Sequence, residues 1–412
     1  METEVYIERS LEKEILKYIG VKEIIAVVGT RQCGKTTMAN HILDNLEKKK
    51  LRIKRISFDN IKDLKIFEDD IDLFIENYVR GYDILFIDEV HYSKDSGKKL
   101  KYIYDNFKIK IIISGSSAAE ISIQSLKYLV GRIFTFHLYP FSFEEFLKAK
   151  DGGLCIVYKK GHYTPSTIKL LNEQLDDFLI FGGYPRVVLA RNQEEKKKVL
   201  ENIFSTYLLK EIREIFDLSD DDKLIKLLKS LSLQIGNMVN YNELSSLTGF
   251  SYPELKKYLN ILTKTYICSL IKPFYTNKRT ELVKSPKVYF IDTGFRNICI
   301  DNFNFERQDK GNLYENLILA ELIKKELIPK YWNTKSGAEV DFIIEKSNKV
   351  IPVEIKSHLK DSRLTKSFAS FLEKYNPKIG YMLSKDYEDR RRVKNTIINF
   401  MPFVRFIEKP LR

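Results

Sequence analysis

Gly29-Thr30-Arg31-Gln32-Cys33-Gly34-Lys35-Thr36-Thr37 is the stretch on which the reading of this chain turns. It follows directly on the apolar run Glu23-Ile-Ile-Ala-Val-Val28 and opens an amphipathic segment that continues to about Lys48. Strand, glycine loop and helix in that order are the setting that the pattern G-x-x-x-x-G-K-[ST] requires. Gly29 and Gly34 let the backbone close around phosphate oxygens, while the loop N–H groups and the helix N-terminus supply positive potential. Lys35 is placed for β and γ phosphates, and the Thr36 hydroxyl for Mg²⁺. The nine residues Gly29 to Thr37 are therefore expected to contact a nucleotide, with ATP and Mg²⁺ as the ligands.

Working outward, an ATPase needs a second carboxylate site on a neighbouring strand. Tyr82-Asp-Ile-Leu-Phe-Ile-Asp88-Glu89 supplies it, with room for a strand at Leu51–Phe58 in between. Asp88 would hold Mg²⁺ through water, and Glu89 would polarise the attacking water. The next strand, Lys110-Ile-Ile-Ile-Ser114-Gly-Ser-Ser117, ends in hydroxyls. Ser114 reads as a sensor between the two sites, or as part of an ordinary turn. Asp88-Glu89-Val90-His91 also satisfies the helicase box D-E-x-H, but no second strand–helix lobe of motor size follows. Arg132, after Gly131, has three readings: a γ-phosphate contact in cis, the same contact made to a neighbouring subunit, or a partner for a surface carboxylate.

Residues 141–222 read as mostly helical, interrupted by a loop at Asp151–Pro165 and by Phe181-Gly-Gly-Tyr-Pro-Arg186. They form either a helical lid, with Arg186 as a second sensor, or plain helix–helix turns. From Asp222 the pattern becomes a helix-turn-helix. A helix at 222–235 precedes Asn242-Glu-Leu-Ser-Ser-Leu-Thr-Gly249, and Tyr252-Pro253 opens a second helix with proline at a first-turn position. Tyr266–Pro273 and Val283–Ile291 flank Tyr275-Thr-Asn-Lys278-Arg279, a basic wing. Lys256 and Lys257 on the second helix, with Lys278 and Arg279, would give salt-dependent DNA contact. A winged helix used for protein packing is the alternative.

In the last third, Glu315 lies on the stripe of Ile318, Leu319 and Leu322, where a carboxylate needs a reason. The strands Ser336–Ile344 and Val350–Ser357 carry Asp341, Glu354 and Lys356, the last two on one face. A hairpin would gather Glu315, Asp341, Glu354 and Lys356. Asp341 and Glu354 would then bind Mg²⁺ or Mn²⁺, and Lys356 would orient or deprotonate water for attack on a phosphodiester. That constellation resembles the PD-(D/E)xK nucleases, with Val340 where the eponymous proline often stands.

The charge fits this division. The chain has 412 residues and a net charge of +13, distributed as −1 over 1–222, +6 over 223–282, +1 over 283–359 and +7 over 360–412. With 44% hydrophobic and 30% charged residues it is no disordered polyelectrolyte. No apolar run reaches the roughly 18 residues of a membrane span, and the acidic Met1-Glu-Thr-Glu start has no signal core behind it. A cytoplasmic protein without a membrane partner is expected. Cys33, Cys155, Cys268 and Cys299 show no zinc spacing and read as reduced core thiols.

Taken together, the chain resembles a widespread archaeal and bacterial ATPase family built from an AAA-type P-loop domain, a winged helix and a C-terminal PD-(D/E)xK-like domain. The resemblance rests on Gly29–Thr37, Asp88-Glu89, Ser114–Ser117, Gly131-Arg132, Gly182–Pro185, Asp292-Thr-Gly294, Gly337–Asp341 and Glu354-Ile-Lys356. It implies an α/β architecture with a P-loop ATPase core at 1–140, a helical lid at 141–222, a winged helix-turn-helix at 223–282 and a nuclease-like domain at 283–412. It also implies ATP binding and hydrolysis. The expected activity is that of a Mg²⁺-dependent ATPase that binds DNA, with metal-dependent cleavage as an added capacity and a homo-oligomer as a compatible assembly. The rival reading is a nucleotide-gated switch that acts on a protein partner through an inactive nuclease-like docking domain.

Overall fold

In this computed structural model the described residues are 6–93, 95–115, 126–206, 221–277, 279, 281, 284–409 and 411. The chain divides into two compact units, Met1–Phe141 with Lys264–Tyr266, and Ser142–Thr263 with Ile267–Arg412.

The first unit is built on an all-parallel sheet of β1 (Ile24–Gly29), β2 (Ile53–Ser57), β3 (Ile84–Asp88), β4 (Lys110–Gly115) and β5 (Ile133–Leu138), in the order β2-β3-β4-β1-β5. Every residue of β1, β3 and β4 is buried, as expected where helices cover both faces of a parallel sheet. The period of two sorts the apolar residues. Ile25 and Val27 pack with Met38, Ile42 and Leu43 of the helix Lys35–Glu47. Ile24, Ala26 and Val28 pack on the opposite face with Phe67, Phe74, Leu100 and Ile103. This order inserts β4 between β1 and β3, so Ser114 lies between the glycine loop and Asp88.

The second unit begins with helices at Phe143–Lys150, Gly152–Lys160, Pro165–Phe181, Pro185–Val188 and Gln193–Ile203. The loop expected at Asp151–Pro165 is thus largely helical. Asp151 caps the helix by accepting from the Leu154 N–H at 2.9 Å, which offsets the low propensity of Gly152 and Gly153. Helices follow at Asp221–Leu233, Tyr241–Thr248 and Tyr252–Lys264, with Gly249 ending the second in a left-handed conformation. Next comes an antiparallel ribbon of β6 (Cys268–Ile271) and β7 (Lys287–Phe290).

Beyond the helices Thr293–Cys299 and Lys310–Lys324, β8 (Lys330–Asn333), β9 (Glu339–Lys346), β10 (Lys349–Ile355), β11 (Ile379–Ser384), β12 (Asp389–Val393) and β13 (Thr396–Pro402) form a mixed sheet ordered β12-β13-β11-β10-β9-β8. The basic segment after residue 360 is therefore part of this sheet. It supplies three of the six strands, and Phe368, Phe371, Met382, Ile398 and Phe400 share a core with Trp332 and Ile343. Its arginines Arg390, Arg391 and Arg392 stand exposed on the edge strand β12. All four cysteines are buried free thiols. Among the described residues no helix is long and apolar enough to cross a membrane.

Candidate functional sites

The glycine loop lies at the carboxyl end of β1, where open parallel sheets bind ligands beside a reversal of strand order. A Cβ on Gly29 would stand 2.0 Å from the Leu138 carbonyl oxygen, so only glycine permits this approach of loop and β5. Gly34 has φ +92° immediately before the helix, in the region that side chains avoid. Lys35 is buried and its ammonium donates to the carbonyls of Gly29 (3.2 Å) and Thr30 (2.8 Å), curling back over its own loop. The Thr30 hydroxyl is buried without a hydrogen-bond partner. Cys33 Sγ donates to the Leu138 carbonyl at 3.4 Å, while Thr36 and Thr37 are exposed. Gln32 takes φ +59° at the exposed crest of the loop.

Asp88 joins the loop and β4. Its Oδ2 accepts from the Thr36 hydroxyl at 2.7 Å, and its Oδ1 accepts from the Ser114 hydroxyl. These oxygens suit a Mg²⁺ ion, for which a hydroxyl and a carboxylate gathered at a phosphate loop are the ordinary donors. Glu89 follows with φ +50° and pairs with His91 Nδ1 at 3.2 Å. Burial, then the carboxylates of Asp59 and Glu89, raise the Tyr92 hydroxyl above its usual range, and Arg31 opposes them. Arg31 of the loop thus shares the electrostatic neighbourhood of Glu89.

Arg132 occupies the other end of the sheet. Its carbonyl accepts from Ile24 N–H at 2.8 Å, at the start of β1. The five steps along β1, at about 3.3 Å each, put it roughly 16 Å from the loop. Its guanidinium is bound instead to Asp105, at 2.9 and 3.4 Å. The γ-phosphate contact in cis is therefore not formed, and the surface-carboxylate alternative is. Arg186 is exposed on the short helix Pro185–Val188, 3.6 Å from Glu195. Ser116 and Ser117, the wing residue Lys278 and residues 207–220 of the expected lid lie outside the described residues.

In the second unit the β9–β10 pairing of Phe342 with Val353 sets Asp341 beside Glu354. Asp341 Oδ2 accepts from Ile355 N–H at 2.6 Å. Glu354 Oε1 accepts from Lys356 (2.9 Å) and Thr365 (3.4 Å), while its Oε2 is buried without a partner. Glu315 turns to other company. Its Oε1 accepts from the Tyr289 hydroxyl and lies 3.7 Å from Lys287 Nζ, and Lys287 also pairs with Glu339. Among the described residues no group of three or more His, Cys, Asp and Glu side chains is arranged to hold a metal ion. Tyr289 and Lys287 hold the Glu315 carboxylate, which stays within electrostatic reach of Asp341 and Lys356. Burial, then the charge of Asp341, pushes the Glu315 carboxyl up to about 8 and the Glu354 carboxyl up to about 7. Burial also raises Asp341. Burial works against the Lys356 ammonium, but Glu354, Asp341 and Glu315 together more than offset it and hold the amine charged. The unpartnered Oε2 of Glu354 beside Asp341 fits a divalent cation.

Residues 21–147 match the AAA domain family, and residues 172–306 and 310–406 match two domain families of unknown function. The first unit carries an AAA-type P-loop domain. Over the longer chain, an uncharacterized Haemophilus influenzae protein is 24% identical, covering 83% of this chain and 84% of its own length. An uncharacterized Methanocaldococcus jannaschii protein is 26% identical, with 83% and 76% covered. Among solved structures, a Walker-type ATPase of Pyrococcus abyssi covers 72% of this chain and 96% of its own at 15% identity and a TM-score of 0.47. The ORC2 protein of Aeropyrum pernix covers 65% and 90% at 14% identity, with a TM-score of 0.37.

Two buried cations escaped the motif reading. Arg9 donates to the Cys33 carbonyl at 2.7 Å and to the Tyr139 carbonyl at 2.6 Å, and lies over the Phe141 ring, bracing the glycine loop from outside. The neighbouring Glu12 receives Arg9 N–H, the Tyr6 hydroxyl and His41 Nδ1 at 2.6, 2.5 and 2.8 Å. Lys287 was hidden in Lys287-Val-Tyr-Phe290, where one lysine in an otherwise apolar strand is the signal that buried charge must find a partner.

Proposed function

We propose that this protein binds and hydrolyses ATP with Mg²⁺ at the glycine loop and couples that cycle to DNA. Asp88, shared between Thr36 of the loop and Ser114 of the intervening strand, carries the proposal. A loop that only bound phosphate would need no such relay to a third strand. Gly29 to Thr37 hold the triphosphate, Lys35 exchanging its two carbonyl partners for phosphate oxygens. Thr36 and Asp88 hold Mg²⁺, which when bound neutralises charge on the phosphates. Glu89, steadied by His91, orients the attacking water and accepts its proton. Ser114 fixes Asp88 and acts as sensor. Arg132 acts on a neighbouring subunit, and Arg186 is the second sensor of a lid at 141–222.

The DNA reading is supported by the three helices and ribbon of 221–290, in winged-helix order, with Lys256, Lys257 and Arg279 exposed. The exposed Arg390-Arg-Arg392 on β12 adds a basic surface on the 283–412 domain. Asp341 and Glu354 are the residues that would hold Mg²⁺ or Mn²⁺ there, with Lys356 beside them, in a site of PD-(D/E)xK type. The engagement of Glu315 by Lys287 favours the second reading, a nucleotide-gated switch whose nuclease-like domain docks a protein partner without cutting. ATP turnover measured with and without DNA at low ionic strength separates the two. Stimulation by DNA, with affinity falling steeply as salt rises, supports the first. Turnover without any DNA binding supports the switch, and unchanged ATP affinity and turnover in Lys35→Ala would remove the nucleotide site itself.

A further inference from the structure

We infer that Lys287 is a built-in competitor of the divalent cation at the second unit's acidic cluster, keeping Glu315 out of the ion's ligand set. The inference rests on the reading of Asp341 and Glu354 as the residues that hold the ion.

Lys287 is buried to 1% exposure, and an ammonium so placed must be neutralised by carboxylates. It finds two, Glu339 and, at 3.7 Å, Glu315. Delivery is rigid. The Asn316 carboxamide clamps β7 through Phe290, accepting from its N–H and donating to its carbonyl, both at 2.7 Å, so the strand carrying Lys287 is fixed to the helix carrying Glu315. One oxygen of the Glu315 carboxylate, Oε1, takes both Tyr289 and Lys287. Glu354, by contrast, keeps a buried oxygen with no partner. Two of the acids are thus bound to the ammonium and one is left open, beside Asp341. Two cations facing one acidic cluster repel each other, so the fixed ammonium lowers the affinity for the mobile ion. Removing it frees Glu315 and Glu339 to act on that ion.

The test is calorimetric titration of Mn²⁺ into nucleotide-free, full-length protein, with Asp341→Asn defining binding at this site. Lys287→Met is expected to tighten Mn²⁺ by about tenfold or more, and to make the melting temperature more dependent on Mn²⁺ than in the wild type. Adding Glu315→Gln to Lys287→Met should cancel most of that gain, whereas Glu315→Gln alone should change Mn²⁺ affinity little. Should Lys287→Met fold poorly, Lys287→Gln keeps a polar group of similar length and tests the same point. Equal Mn²⁺ affinity with and without Lys287 overturns the competition while leaving the ion site standing. Binding that ignores Asp341→Asn, or no binding in any variant, overturns the ion site itself.

Discussion

Replacing Arg9 with methionine removes the guanidinium while keeping an apolar stem of similar girth. Two hydrogen bonds go with it, to the Cys33 carbonyl at 2.7 Å and the Tyr139 carbonyl at 2.6 Å. The first acceptor is buried and the second partly so. A buried acceptor stripped of a charged donor costs about 1–3 kcal/mol, and a partly wet one nearer 1 kcal/mol. Loss of the stacking over Phe141 adds roughly 0.5 kcal/mol. The total is about 3 kcal/mol, which for a unit of this size lowers its melting temperature by roughly 10 °C. Because one of the two carbonyls belongs to the glycine loop, part of the loss should appear as nucleotide affinity, weakened about tenfold. Differential scanning calorimetry with and without an ATP analogue, beside titration of a fluorescent analogue, reads both effects. Arg9→Lys, whose single ammonium cannot span both acceptors, should fall between. An Arg9→Met protein that melts within a degree or two of the wild type and binds nucleotide equally well would refute the brace.

Ser114→Ala should lower ATP turnover by about tenfold or more while changing ATP affinity little, because the hydroxyl fixes Asp88 without touching the loop. Steady-state kinetics beside equilibrium binding would show it, and an equal loss in both would contradict it. Lys256→Ala with Lys257→Ala should weaken DNA binding and reduce the salt slope by about one per lost phosphate contact; an unchanged slope in fluorescence anisotropy would place DNA elsewhere. Glu354→Gln concerns pH. The folded carboxyl is raised to about 7, by burial and then Asp341, from an ordinary value near 4.5. It therefore favours folding fully below pH 4.5, and this contribution is lost as pH rises to 7. Glutamine escapes the loss. Its stability relative to the wild type should improve by up to about 3 kcal/mol between pH 4 and 8 in metal-free buffer, and parallel melting curves would deny it.

The parts legible in the sequence were those where local pattern and tertiary role coincide. Val28–Gly29 and Ile87–Asp88 end apolar strands, so hydropathy places them at strand ends. The β9–β10 hairpin was legible for the same reason: alternation set Glu354 and Lys356 on one face, and pairing brought Asp341 alongside. Arg132 was not. Its position follows from the parallel direction of β5, which sends the residue before the strand to the sheet end opposite the loop. Nor was the fate of Glu315. That depends on Lys287 and Tyr289, side chains of a ribbon 26 residues and more away in sequence, whose arrival only the packed structure sets. The helix Gly152–Lys160 was hidden because its cap, Asp151, outweighed two glycines.

Catalysis at the glycine loop is tested most directly by ATP turnover in Glu89→Gln. The wild type should hydrolyse Mg²⁺-ATP, and the variant should bind ATP with nearly unchanged affinity while losing about a hundredfold or more in rate. A Glu89→Gln protein that turns over at the wild-type rate, or a wild type that binds ATP and never hydrolyses it, would contradict the account.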